Sequence, residues 1–234
     1  MSDYVFPPPP IPAAPVRGGG RYAVSRIFCV GRNYAEHAKE MGFDTRDPPF
    51  FFSKPASALT LSGARVAYPP ATQNLHHEME LVLVLGAPAF EADAAQGLAA
   101  IYGYACGLDM TRRDLQNAMR EQKRPWDIGK GFEHSAVLSE IAPAAAIGHP
   151  AAGAIRLSVN GVLRQNGDLS EMIWKAGEIV AALSRFYHLG PGDLIYTGTP
   201  AGVGPVLPGD RLEGEIEGVG AISLSYSEAS PGAA

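Results

Sequence analysis

The segment Leu81–Leu85, LVLVL, has no polar side chain on either face of a strand. Strand side chains alternate between faces, so this element must be covered from both sides. It falls far short of the ~20 apolar residues a bilayer-spanning helix needs. The chain around it must therefore build layers above and below. The residues leading into the run are opposite in character. In LHHEMELVLVLG, Leu75–Gly86, two carboxylates stand at its mouth. Residues i and i+2 of a strand share a face, so Glu78 and Glu80 point the same way, with Met79 opposite. Like charges in that position need a cation, a shared proton or water beside them. Taken alone, the pair also reads as a solvated strand end.

Composition limits the partners. The chain has 234 residues, enough for one large core, with 46% apolar and 18% charged residues. A formal charge of -5 argues against a general nucleic-acid surface. The basic cluster TRRDLQNAMREQKRPW is interrupted by acidic and amide residues and reads as a solvated helix face. Cys29 and Cys106 have no CxxC spacing and sit in apolar contexts, so two buried thiols in a reducing compartment are expected. The N-terminus is Pro-rich, unlike a secretory signal. The expectation is a cytoplasmic protein without membrane or nucleic-acid partners.

Residues 1–20, MSDYVFPPPPIPAAPVRGGG, read as a Pro/Gly-rich arm, extended at the prolines and flexible at the glycines. Residues 21–228 read as a single domain and 229–234 as a frayed tail. Within the domain, RIFCVGRNY is a strand, a turn and a helix start, and YAEHAKEMG is a short helix stopped by Gly42. FFFSKP is a strand. AAQGLAAIYGYACGLDM is a helix followed by a strand that ends near Asp109. Thr111 caps the helix RRDLQNAMREQ, with Asp114 three residues on. IRLSVNGVLRQNGD is a hairpin turning at Asn160-Gly161, the pair a type I′ turn requires. SEMIWKAGEIVAALSRFYHLGPGD reads as a helix with Met172, Ala176, Ile179, Leu183 and Phe186 on one face. DLIYTGTPAGVG is a strand opening into a Gly-rich loop, and DRLEGEIEGVGAISLSYS is a closing hairpin. The fold class is α+β, a β-rich mixed sheet with few short helices.

Asp109 alters the reading of the acidic pair. It ends another apolar strand, so three carboxylates at strand ends could hold a hard, oxygen-preferring cation. Mg²⁺ or Mn²⁺ suits that donor set better than Ca²⁺ or Zn²⁺. His76 and His77 read as structural, because His77 faces away from Glu78 on a regular strand. On the helix YAEHAKEMG, His37 and Glu40 share a face. A carboxylate-oriented histidine is how a water-activating base is built, although a bare HxxE also reads as an exposed ion pair. Lys130, between glycines in the strand-like WDIGKGF, could stabilise an oxyanion or lie on the surface. TGTPAGVG, Thr197–Gly204, could bind a carboxylate but lacks the phosphate-cradling pattern.

Taken together, CVGRNYAEHAKEMG, FFSKPASAL, HHEMELVLVLG, GYACGLDMTRRDLQ, RPWDIGKGF, VNGVLRQ and PGDLIYTGTPAGVGPV occur here in an order that resembles the fumarylacetoacetate hydrolase family. The resemblance covers roughly residues 22–226. It is strongest to the small acylpyruvate hydrolase branch, including members that act on fumarylpyruvate in aromatic-acid (gentisate) breakdown. It implies the family's β-rich fold and a homodimer. It implies Mg²⁺ or Mn²⁺ held by Glu78, Glu80 and Asp109, a water-activating pair His37 and Glu40, and an oxyanion-stabilising Lys130. By the same resemblance Arg113, Gln116 and Thr199 contact the substrate, with Lys54 and Arg32 near the pocket. The implied reaction is hydrolysis of a C–C bond in a 2,4-dioxo acid, giving pyruvate and a carboxylic acid. Decarboxylation or tautomerisation of oxaloacetate and isomerisation of dienoates are alternatives on the same metal site.

Overall fold

The computed structural model describes residues 4–34 and 47–227. The expected helix carrying His37 and Glu40 lies outside the described residues, as does the tail 229–234.

Among the described residues the largest sheet has eight strands. Its path runs Phe50–Lys54, Arg26–Gly31, Asp193–Tyr196, Met79–Leu85, Ile101–Asp109, Ala136–Leu138 and Leu59–Leu61, with Ala142–Pro143 also pairing Ile101–Asp109. Two of its ladders are parallel, Arg26–Gly31 with Asp193–Tyr196 and Leu59–Leu61 with Ala136–Leu138. The rest are antiparallel, so the sheet is mixed, as the sequence implied. The second sheet has five strands in the order Val162–Asp168, Ala154–Val159, Arg211–Ile216, Gly220–Tyr226 and Ala64–Val66. A small third sheet joins Thr111–Arg112, Leu75–His77 and Gly204–Val206.

The LVLVL strand is the hinge of the packing. Every residue of Met79–Leu85 is buried. Met79, Leu81, Leu83 and Leu85 enter the larger apolar core with Leu157, Leu212, Ile222 and the helix residues Ile179 and Leu183. Val82 and Val84 enter a second core on the opposite face with Cys29, Ala105, Leu194 and Tyr196. Strand alternation thus divides one sequence run between two layers. The chain before the domain helps close the second layer. Ala13–Pro15 pairs with Arg21–Ala23, and Ala14 and Val16 are buried in that core. Strand structure therefore reaches into the segment expected to be an arm. Cys29 and Cys106 are both buried free thiols.

Three local expectations are corrected. The long helix expected over SEMIWKAGEIVAALSRFYHLGPGD is confined to Ala176–Ser184. Asn33 explains the late start. Its carbonyl accepts from Ile173 N–H (2.8 Å) and its Oδ1 from Trp174 N–H (2.7 Å), which keeps those residues out of the helix. Beyond the helix the apolar stripe fails, and Phe186 is 71% exposed. Thr111 does not cap the helix Arg113–Glu121. Its hydroxyl donates to Asp109 O (3.2 Å) and accepts from Lys130 Nζ (2.7 Å), while Asp114 accepts from Thr72 Oγ1 and Gln73 N–H. Lys130 ends a short helix, Asp127–Lys130, instead of lying in a strand. Gly129 allows that turn to pack tightly, because a Cβ there would stand 2.9 Å from Gln116 N. The Asn160-Gly161 turn is as expected, with φ 52° and 77°.

Gly107, paired with Glu80, permits the tightest packing beneath the acidic residues. A Cβ there would lie 2.5 Å from Val82 Cγ2 and 2.6 Å from Tyr196 Cε1, both in fully buried side chains. Gly107→Ala is expected to lower unfolding stability by about 1–3 kcal/mol through overpacking, read from the midpoint shift in urea unfolding.

Candidate metal centre and active-site cleft

The antiparallel ladder between Met79–Leu85 and Ile101–Asp109 sets the site. Asp109 N–H donates to Glu78 O (2.9 Å), which places Asp109 beside Glu78 across the ladder. By strand alternation Glu80 shares a face with Val82 and Val84, and Asp109 with Ala105 and Gly107. These faces coincide, since Val82, Val84 and Ala105 belong to one core cluster. Glu78 occupies the break between Leu75–His77 and Met79–Leu85. A ligand oxygen from each of Glu78, Glu80 and Asp109 lies within 4.8 Å of the others. The residues are 7%, 1% and 1% exposed, which removes the solvated-strand-end reading.

Three cations, Lys130, Arg113 and Lys54, and one backbone donor act on this trio. Lys130, itself buried, donates to Glu78 Oε2 (2.8 Å) and Asp109 Oδ2 (2.7 Å). Arg113 hydrogen-bonds Glu78 Oε1. Glu80 Oε2 accepts from Gly198 N–H (2.7 Å) at the start of the Gly-rich loop. Burial acts to raise the Glu78 carboxyl, but Lys130 and Arg113 outweigh it and hold the group well below the usual carboxylate range. Glu80 goes the other way. Burial first, then the charges of Asp109 and Glu78, push it well above that range. Burial acts to lower the Lys130 ammonium, yet Asp109 and Glu78 more than offset this and its affinity for a proton is raised. Among the described residues the cations pair with Glu78 and Asp109, and Glu80 is left without an ion pair.

The donor set fits a hard divalent cation. All three candidate ligands are carboxylates, and Asp109 Oδ1 is buried and accepts no hydrogen bond. Lys54 Nζ lies 2.8 Å from that oxygen as an ion pair without hydrogen-bond geometry. Among the described residues no imidazole joins the cluster. His77 turns away to Gln165 Oε1 (3.0 Å), and His76 Nε2 meets Asn74 Oδ1 (2.8 Å). Oxygen-only ligation of this kind suits Mg²⁺ or Mn²⁺.

Glu78 and Glu80 line a cleft of about 310 Å³, with Asp109 buried beside them. Arg32, Arg113, Gln116, Lys130 and Thr199 all line it. Lys54 does not. Its side chain has no exposure, and it also donates to Met110 O (3.1 Å) and to Lys130 O. The structure thus places Lys54 behind Asp109, where it orients a carboxylate instead of facing substrate. A larger hollow of about 490 Å³ over the five-stranded sheet is lined by charges already paired with one another, Arg156 with Glu215 and Arg211 with Glu213.

Two residues that hold the site were not singled out from the sequence. Gln165, fully buried in the hairpin Val162–Asp168, accepts from Met79 N–H (3.0 Å) and donates to Thr199 Oγ1 (2.8 Å) and Pro200 O (3.0 Å). It pins the Gly-rich loop to the metal-site strand. Asn33 donates to Thr197 O (2.8 Å) from the other side. A glutamine at an inward-facing strand position was the available signal for the first. Asn33 offered none, since its partners Trp174 and Thr197 are 141 and 164 residues away in sequence.

A buried carboxylate trio with a bridging lysine, in a cleft walled by arginines, defines a divalent-metal centre on a β-rich fold. Residues 26–224 match the family described as fumarylacetoacetate (FAA) hydrolase C-terminal, and the chain belongs to that family. It is 52% identical over 180 residues to a fumarylpyruvate hydrolase from a Ralstonia species, covering 77% of this chain and 93% of the relative. It is 41% identical over 198 residues to an oxaloacetate tautomerase from Escherichia coli, covering 84% and 90%. Among solved structures, fumarylpyruvate hydrolase from Pseudomonas aeruginosa in complex with Mn²⁺ and pyruvate superposes with a TM-score of 0.93 at 46% identity, covering 97% of this chain and all of the other.

Removing one negative charge separates repulsion from metal binding. Glu80→Gln keeps an acceptor for Gly198 N–H and relieves the like-charge cluster. The EDTA-treated variant is expected to melt at or above the wild-type temperature. Wild type should gain stability with Mn²⁺, by about 2.7 kcal/mol at a hundredfold excess over Kd, and the variant should lose most of that gain. Thermal unfolding with and without MnCl₂ checks both.

Proposed function

We propose that this protein is a metal-dependent hydrolase that cleaves the C–C bond of a 2,4-dioxo acid, foremost fumarylpyruvate, to pyruvate and a carboxylic acid. The observation that carries the reading is Lys130 bridging Glu78 and Asp109 on the floor of an arginine-walled cleft. The 52% identical relative named fumarylpyruvate hydrolase and the matching structure with Mn²⁺ and pyruvate support it. A homodimer, a cytoplasmic location and a place in gentisate breakdown belong to the same proposal. The two buried free thiols suit a reducing compartment, and no helix among the described residues is long and apolar enough to cross a membrane.

When bound by Glu78, Glu80 and Asp109, Mg²⁺ or Mn²⁺ supplies Lewis acidity that polarises the dioxo acid. Arg113, Gln116 and Thr199 line the cleft beside it and orient the substrate carboxylate. Thr199 is well placed to hold a fixed position, because its hydroxyl donates to Met79 O (2.7 Å) and accepts from Gln165. His37, oriented by Glu40, takes a proton from water, and the resulting hydroxide attacks the acyl carbonyl. Lys130 stays charged and, releasing one of its bonds to Glu78, Asp109 or Thr111, donates to the oxyanion that develops there. Collapse of the tetrahedral carbon breaks the bond to the methylene. The electron pair passes to the pyruvate fragment, which takes up a proton, and the acyl group leaves as a carboxylic acid.

Tautomerisation of oxaloacetate is the second reading, favoured by the 41% identical Escherichia coli relative. It needs no activated water. The test is EDTA-stripped protein with Mg²⁺ or Mn²⁺ restored, offered fumarylpyruvate, acetylpyruvate and oxaloacetate, with products identified. Metal-dependent release of pyruvate plus fumarate, faster than any other turnover, is expected. His37→Ala should bind Mn²⁺ as wild type does and lose about a hundredfold or more in hydrolysis. Turnover of oxaloacetate alone, undiminished in His37→Ala, would replace the hydrolase with the tautomerase.

A further inference from the structure

Guanidinium groups line the cleft beyond the one that meets Glu78. The helix Arg113–Glu121 presents Arg113, Gln116, Asn117 and Arg120 to it. That spacing forms one stripe along a helix face. Arg113 lies at the deep end, against Glu78. Arg120 stands two turns further out, about 10 Å along the axis at 1.5 Å per residue.

Arg32 enters from the opposite wall. Its φ of 62° is in the left-handed region, unusual for a residue with a long side chain. The preceding Gly31 is packed under Phe50, where a Cβ would fall 2.0 Å from the ring. The Arg32 guanidinium lies 5.5 Å from the Phe50 ring centroid, and Phe50 meets Trp126 edge-on at 5.5 Å. The wall beneath Arg32 is thus aromatic and braced. Burial lowers the Arg32 pKa, the charge of Arg120 lowers it further, and Asp47 offsets part of this. Two guanidinium groups from separate elements therefore sense each other across the mouth of one cleft. An anion between them would turn that repulsion into attraction on both sides.

We propose that Arg120, together with Arg32, clamps the far carboxylate of the substrate, so that the cleft selects acylpyruvates whose acyl group itself ends in a carboxylate. This rests on the hydrolase reading above. The pyruvoyl end lies at the carboxylate floor with Arg113. An acetyl group stops short of the mouth, whereas a fumaryl group extends several bonds further and carries its second carboxylate outward. Oxaloacetate has a second carboxylate, but it lies too close to the first to reach Arg120. Arg120 is therefore a specificity residue, and the aromatic wall of Phe50 and Trp126 flanks the acyl chain between the two ends.

Arg120→Gln tests the clamp, because Arg120 is exposed near the end of its helix and its replacement leaves the core untouched. The quantity to compare is the ratio of kcat/KM for fumarylpyruvate to that for acetylpyruvate. The ratio should fall about tenfold or more, mainly through KM for fumarylpyruvate, the scale of one lost charge-assisted contact. Arg120→Lys should recover part of the loss. In parallel, calorimetry on the Mn²⁺-loaded protein with pyruvate present should show fumarate binding more tightly than crotonate, which lacks the second carboxylate. That preference should vanish in Arg120→Gln. A ratio within twofold of wild type overturns the clamp, as does a wild-type protein that binds fumarate no better than crotonate. Wild type that cleaves neither diketo acid while keeping an Arg120-dependent preference for fumarate would overturn the hydrolase reading and leave the clamp standing.

Discussion

Three carboxylates buried on adjacent strands are stable only with positive charge among them, and the site is arranged around that requirement. Lys130 supplies part of it, bridging Glu78 and Asp109. Lys54 supplies more from behind, against Asp109, and Arg113 from the front, against Glu78. Among the described residues Glu80 is left with one backbone N–H, from Gly198, and burial drives it toward its neutral form. A divalent cation completes the balance, since it lets Glu80 ionise without adding to the repulsion. The same cations that offset the carboxylate repulsion also fix the positions of Glu78 and Asp109.

That balance depends on register. Glu80 faces the site because it shares parity with Val82 and Val84, and Asp109 because it shares parity with Ala105. A slip of one residue in the ladder would bury both carboxylates in apolar core and destroy the cluster. Gly107 secures the register, because only the absence of a side chain lets Val82 and Tyr196 close over it. The Gly-rich loop is fixed with similar economy. Gln165 ties it to the metal-site strand on one side and Asn33 holds it on the other, so Thr199 and Gly198 meet the cleft from a rigid base. Loops that carry function are commonly fastened by buried polar contacts of this kind.

The cleft grades from one chemistry to another. At its floor the groups are acidic and suited to a hard metal, and at its mouth they are guanidinium groups over an aromatic wall. A substrate with an oxygen-rich, chelating end and a distant anionic end matches that gradient.

Periodicity alone was sufficient for the local elements with strong patterns. The two-sided burial of Leu81–Leu85, the shared face of Glu78 and Glu80, the Asn160-Gly161 turn and the strand ending at Asp109 all follow from strand alternation and turn chemistry. The order of motifs extended this to the family, and it picked out the three carboxylates that the fold brings together. Other features depended on contacts distant in sequence. Asn33 shortened the helix near Met172 by capturing the Ile173 and Trp174 amides, and no local propensity encodes that capture. Lys54 reads from the sequence as a pocket residue, yet the chain carries it behind Asp109. Arg120 gained significance only when its helix was laid along the cleft opposite Arg32. Sequence determines which side chains share a face, because that is set by the geometry of one strand or helix. Which charges meet across a cleft is decided by how separate elements pack, and only the tertiary structure holds that information.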